Sequence, residues 1–182
     1  MIDRDDVLGR LVGDSKTEIL PDLHSRTDTT YSVVELWAQF EERIAILGGR
    51  VSSLTEFLAT PFQRIFVDAS TTAYVPQCQV APEDSLWSCE VSVSMGVLAV
   101  AESGTVVVSA GISCARLSTL APPHAAILVR RNDIVLTLEE SFDRLPRTTT
   151  ALLTGPSRTA DIEGTLVRGV HGPGEVTVIP VE

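Results

Sequence analysis

The sequence predicts an α/β protein in which helices cover both faces of a mixed, Rossmann-like sheet. Short β-branched runs alternate with amphipathic stretches, the alternation that marks an α/β domain. Aromatic residues make up only 5% of the chain while hydrophobic residues make up 44%. The core is therefore built mainly from Val, Leu, Ile and Ala, as suits a sheet covered by helices. About seven strand candidates and four or five helices make a three-layer sandwich, with one or two antiparallel strands, the natural arrangement.

Taken in order, Ile2, Val7, Leu8, Leu11 and Val12 recur at roughly helical spacing, so a short amphipathic helix is expected at the start. Residues 14–30 are polar, contain Pro21 and offer few apolar anchors. They read as an extended connection or lid that makes residues 1–30 a segment distinct from an α/β domain over 31–182. Ordering such a segment costs about 1–2 kcal/mol per residue, so it is expected to pack poorly or to touch another molecule. Val33, Leu36, Trp37, Phe40, Ile44 and Leu47 then share one helical face, and Gly48-Gly49 stands where a C-terminal cap belongs. "RVSSL" and "RIFVDAS" read as strands around the short helix "LTEFLAT". "CEVSVSM", "VLAVAES", "TVVVSAG" and "HAAILVR" follow as strands, "IVLTLEESFDRL" as mostly helix, and "TTTALLT" and "EVTVIPV" as the last two strands.

The net charge of −10 argues against nucleic acid or an anionic membrane as a partner, because phosphate attracts the opposite sign. Cys78, Cys89 and Cys114 are scattered without a C-x-x-C pair, so the chain carries no cluster-binding signature of its own. The three histidines show no metal-ligand spacing, and no metal is expected. No apolar run approaches the roughly 20 residues of a membrane span, and no signal peptide precedes the first segment. A cytoplasmic protein is the expectation.

Three stretches carry chemistry. In "GPSRTADIEGTLVRGVHGP", a turn at Gly155-Pro156 leads to Ser157 and Thr159, either of which can cap a helix start. There Arg158 can grip a carboxylate or phosphate with two parallel hydrogen bonds. Continued as a helix, the segment sets Arg158, Asp161, Thr165 and Arg168 along one face and Ile162, Leu166 and Val170 along another, and Glu163 adds a further carboxylate. The first face either lines a cleft or forms an exposed ladder of charges. In "VAESGTVVVSAG", Glu102 sits at a strand–turn–strand corner with Gly104 and Thr105, as a base or nucleophile or as an acceptor of turn amides. In "RLSTLAPPHAAILV", Arg116 and His124 flank a Pro122-Pro123 turn, with His124 a proton donor, a ligand-binding group or a residue satisfied by a backbone carbonyl.

Together these stretches resemble the LUD family. The likeness is strongest from Val91 onward, and the Gly155–Pro173 motif is its most specific part. The resemblance implies a fold like that of the sugar-phosphate isomerases and coenzyme A transferases. It also implies a place in an L-lactate-oxidising system beside two iron–sulfur proteins that hold the clusters. Glu102 in "AESG" resembles the catalytic turn of the coenzyme A transferases, with Ser103 in place of their Asn. Two functions follow. One is a non-redox subunit that binds a small carboxylate through Gly104, Thr105, Arg116, His124 and the Gly155–Glu163 segment. The other is a stand-alone enzyme on a small phosphorylated or acyl substrate, with Glu102 as base or nucleophile. A nucleotide-binding enzyme akin to the folate cyclo-ligases ranks below both, since no phosphate loop is present.

Overall fold

The computed structural model describes residues 30–76, 83–110, 115–160 and 166–182. The expected N-terminal helix and the connection after it, up to residue 29, lie outside the described residues. Ser32 opens the first described helix, α1 (Val33–Ile46), through a capping box. Its hydroxyl accepts from the Glu35 N–H, and Glu35 Oε2 accepts from the Ser32 N–H at 2.8 Å. The pair satisfies two donors that a helix start leaves open. Helical spacing puts Leu36, Trp37, Phe40 and Ile44 in the core, as the sequence predicts. Gly48 follows the helix at φ +85°, the left-handed conformation that glycine adopts without strain.

The chain then runs through β1 (Arg50–Val51), α2 (Leu54–Leu58), β2 (Ile65–Val67), β3 (Val91–Met95), β4 (Leu98–Val100) and β5 (Thr105–Ser109). It continues through α3 (Ala115–Leu120), β6 (His124–Arg130), β7 (Ile134–Val135), α4 (Leu138–Phe142) and β8 (Thr150–Leu153). The strands β9 (Arg158–Ala160), β10 (Leu166–Arg168) and β11 (Glu175–Val181) follow. The central sheet is parallel throughout, in the order β1-β11-β6-β3-β2. A second sheet has the order β7-β4-β5-β8, with β5 antiparallel to both neighbours and β7 parallel to β4.

Period-two alternation decides what each face of the central sheet meets. Ala125, Ile127, Val129, Val176 and Val178 pack with α1. Ala126, Leu128, Ile179 and Val181 pack on the other face with Phe57 of α2. Ala99, Val106, Val108 and Leu153 of the second sheet also meet α1, so the helix is held by apolar residues of both sheets. Strands buried on both sides read as continuous apolar runs, and β4 and β5 are buried at every position.

Three local expectations are corrected. The antiparallel strands lie in a separate sheet, to which the chain passes between Gly96 and Val97: the first donates to Leu128 C=O and the second to Val107 C=O. "RLSTL" forms α3, which the apolar pattern hid: Ser118 and Thr119 take the buried face, and the Ser118 and Ser94 hydroxyls lie 2.8 Å apart. The helix expected from Ser157 onward is instead the antiparallel pair β9–β10, with Val170, expected in the core, 53% exposed. The Ser157 N–H donates to Pro173 C=O at 2.8 Å, so it does not head a helix. The β-branched Thr159 and Val167 suit paired strands.

A Cβ at Gly104 would stand 2.7 Å from the Ile44 backbone nitrogen, and its φ is +63°. Gly104→Ala is therefore expected to lose about 2–4 kcal/mol, or roughly 5–15 °C in melting temperature for a chain of this size. At Gly174 the nearest atoms to an added Cβ are 3.8 Å away, so Gly174→Ala stays close to the parent. Equal melting temperatures for the two variants would refute the steric assignment.

Candidate functional site

The predicted residues fall into two groups. At one corner, the Glu102-Ser103-Gly104 turn and the Gly155 turn both rest on the C-terminal end of α1. A Cβ at Gly104 would meet the Ile44 backbone, and one at Gly155, where φ is +96°, would meet Leu47 at 3.1 Å. The Thr105 and Thr154 hydroxyls lie 2.8 Å apart, and Ser103 Oγ donates to Thr105 Oγ1 at the same distance. Glu102 Oε1 accepts from the Leu138 N–H at 3.0 Å, so this carboxylate engages the first residue of α4. Arg158 Nη2 donates to the Leu47 carbonyl, where the negative end of the α1 dipole favours a cation. Arg168 pairs with Arg158 across β9–β10.

The second group lies at the amino-terminal edge of the central sheet. His124 opens β6 on the α2 face, 5% exposed, with its Nε2 2.8 Å from Thr177 Oγ1. The Phe57 and Phe62 rings meet it edge-on. Thr177 Oγ1 also accepts from Arg50 Nε at 3.0 Å, and Glu175 Oε2 lies 3.8 Å from His124 Nδ1. Burial pushes the imidazole below its usual pKa; Glu175 opposes that shift and Arg50 adds to it. Beside it, backbone bonds close the Gly155–Pro173 motif: Gly169 N–H donates to Ser157 C=O at 3.0 Å, and Gly174 N–H to Pro123 C=O at 2.8 Å. Thr159 Oγ1 is buried without a hydrogen-bond partner. Arg116 belongs to α3, and Asp161 and Glu163 lie outside the described residues. The geometry thus brings Glu102, Gly104, Thr105, Gly155 and Arg158 to one corner, and places His124 on the α2 face of the sheet.

Among the described residues, three cavities lie elsewhere, and none of these three is lined by Glu102, Gly104, Thr105, His124 or the Gly155–Thr159 turn. One of about 310 Å³ lies between Trp87, Leu117, Leu120 and the Gly169–Gly172 loop. Two others open at the carboxyl ends of the parallel strands, where ligands of open α/β sheets bind. The larger, about 660 Å³, is lined by Trp37, Ser52, Glu56, Arg131 and Glu182 among others. The other, about 390 Å³, is lined by Ser70, Gly96, Arg130, Asp133 and Arg144 among others. Tyr74 lines both. Sequence reasoning missed this edge, although its signal is plain: Arg130-Arg131 directly follows the apolar run "HAAILV".

The model of the LUD domain family matches residues 66–181. Lactate utilization protein C of Macrococcus caseolyticus is 35% identical over 101 residues, which are 50% of this chain and 44% of that protein. Its counterpart in Halalkalibacterium halodurans is 32% identical over 103 residues, 51% of this chain and 44% of that protein. The chain spans about half the length of the curated relatives it matches. A crystal structure of a DUF162 family protein from Deinococcus radiodurans superposes with a TM-score of 0.63 at 21% identity, covering 84% of this chain and all of that one. That likeness gives the fold: a mixed α/β domain around a mostly parallel sheet.

Two expectations follow from the geometry. Burial keeps His124 neutral in the folded protein to lower pH than a free imidazole, whose ordinary pKa is 6.5. The unfolded chain then binds more protons than the native one, so stability falls as pH drops below that value. His124→Gln is expected to flatten this fall in denaturant titrations across pH 7.5 to 5.5, and an unchanged slope would count against it. Arg158→Ala is expected to lower stability by about 0.5–1 kcal/mol through loss of the Leu47 contact. Arg158→Lys, which keeps the charge at the helix end, should recover part of that loss. A variant indistinguishable from the parent would remove Arg158 from the helix-end role.

Proposed function

The chain belongs to the LUD domain family, and on that premise we propose that it is a non-redox component of an L-lactate utilization system. In this reading it works in the cytoplasm with two iron–sulfur proteins, which carry the clusters and oxidise L-lactate to pyruvate. This chain binds a small carboxylate and docks onto those partners. The family resemblance also supports kinship with the sugar-phosphate isomerase and coenzyme A transferase fold.

The observation that carries the reading is an exposed apolar patch in which Leu117 and Leu120 of one family-like stretch and Val170 of another gather beside Trp87. Trp87 is 73% exposed, Val170 53%, Leu117 45% and Leu120 40%, and the four rim the 310 Å³ cavity beside His171. Exposed aromatic and aliphatic side chains gathered round a concavity favour protein contact over solvent. The stand-alone enzyme has less support, because Glu102 Oε1 is engaged by the Leu138 N–H at the start of α4.

Deleting the gene is expected to abolish growth on L-lactate and to spare growth on pyruvate. The parent chain restores growth, whereas the Trp87→Glu, Leu120→Glu double variant, altered only at exposed positions, does not and keeps its melting temperature. Normal growth of the deletion strain on L-lactate would overturn the pathway reading. Full rescue by the double variant would overturn the patch as the docking face.

A further inference from the structure

We propose that the 390 Å³ cavity at the carboxyl ends of β3 and β6 binds a short 2-hydroxycarboxylate, with Arg130 and Arg144 holding its carboxylate and Asp133 and Ser70 accepting from its hydroxyl. The proposal rests on the reading that this chain binds a small carboxylate, and it names the place and the chemistry.

The position comes first. β3 and β6 are neighbours in the middle of an all-parallel sheet, and the crevice beyond the carboxyl ends of such strands is where open α/β sheets take ligands. A cavity of about 390 Å³ opens there, within the usual range for small-molecule pockets.

The charges come next. Arg130 ends β6, and Arg144 lies two residues beyond the end of α4, so distant parts of the chain bring two guanidinium groups to one cavity. Asp133 is the one carboxylate among its lining residues. Neither arginine forms an ion pair among the described residues. The wall is therefore net positive in a chain of net charge −10, and a local field of that sign attracts anions. Guanidinium groups match a planar carboxylate with paired N–H bonds.

Two further groups select for a hydroxyl. Ser70 Oγ spends its proton on Asp68 Oδ1 at 2.7 Å, so toward the cavity it acts as an acceptor. The Asp133 carboxylate also accepts. An acid lacking the hydroxyl leaves these acceptors without a donor, which is the basis for rejecting it. Met95, Val97 and Pro146 supply apolar wall for the rest of a short chain.

The test is calorimetric titration of the full chain with L-lactate, propionate and inorganic phosphate. The expected result is saturable binding of L-lactate, weaker binding of propionate, and a loss of about ten- to a hundred-fold in L-lactate affinity for Arg130→Ala and for Arg144→Ala. Both side chains are exposed, so both variants should keep the parent melting temperature, and either one alone suffices for the test. Undiminished affinity in both variants, no L-lactate binding at millimolar concentrations, or phosphate binding tighter than L-lactate would overturn the assignment. Equal affinities for propionate and L-lactate would overturn the hydroxyl-reading role of Asp133 and Ser70. The growth assay separates the two readings: a chain that restores growth without binding L-lactate loses this site and keeps the pathway, and the reverse result does the opposite.

Discussion

One residue, Gly96, lets this chain build two sheets from a single run of strand. Its N–H still donates to Leu128 C=O of the central sheet at 2.8 Å, while the next N–H, that of Val97, donates to Val107 C=O of the second sheet at 2.7 Å. The backbone ladder passes from one sheet to the other across one peptide. A Cβ at Gly96 would stand 3.0–3.1 Å from methyl groups of Val106 in β5 and of Val129 and Ile127 in β6, one strand from each sheet. Close packing of this kind tolerates little added volume. The enclosure of Phe40 and Ile44 by both sheets depends on this handover, and so does the placing of Gly96 on the wall of a cavity.

The elements legible in the sequence are those whose burial follows a simple period. α1 was readable because its four buried residues recur at helical spacing and a pair of glycines follows them. β6 and β11 were readable as runs of mostly β-branched and aliphatic residues, because both their faces are covered. α3 escaped because its inward face carries Ser118 and Thr119, both without exposed surface, which bond to neighbours instead of packing as hydrocarbon. The Gly155–Pro173 motif misled for the opposite reason. Its charges fall at helical intervals by coincidence, while its structure is set by backbone bonds to Pro173, Ser157 and Pro123 that no side-chain pattern reports.

The same asymmetry governs the candidate sites. The motif most distinctive in the sequence frames the amino-terminal edge of the central sheet and the end of α1, where Arg158 and Glu102 bond to main-chain atoms. The larger cavities lie at the other edge, and residues from distant stretches line them: Ser70, Arg130 and Arg144 are brought together only by topology. Linear spacing carries no trace of such a meeting. Arg130-Arg131, a pair of cations after an apolar strand, is the one local trace of it, and it was not singled out.

The strand order also has a temporal meaning. β11, which ends at Val181, lies between β1 and β6, and the Arg50–Thr177 contact that seals β1 to it joins residues 127 positions apart. As the ribosome delivers the chain, β1 and β6 each wait with an unpaired edge until the last strand arrives to fill the gap. Long-range parallel pairing of this sort folds slowly, and open apolar edges invite association with other chains. Synthesis therefore passes through an interval in which β1, β2, β3 and β6 have been made, β11 has not, and the central sheet is split in two.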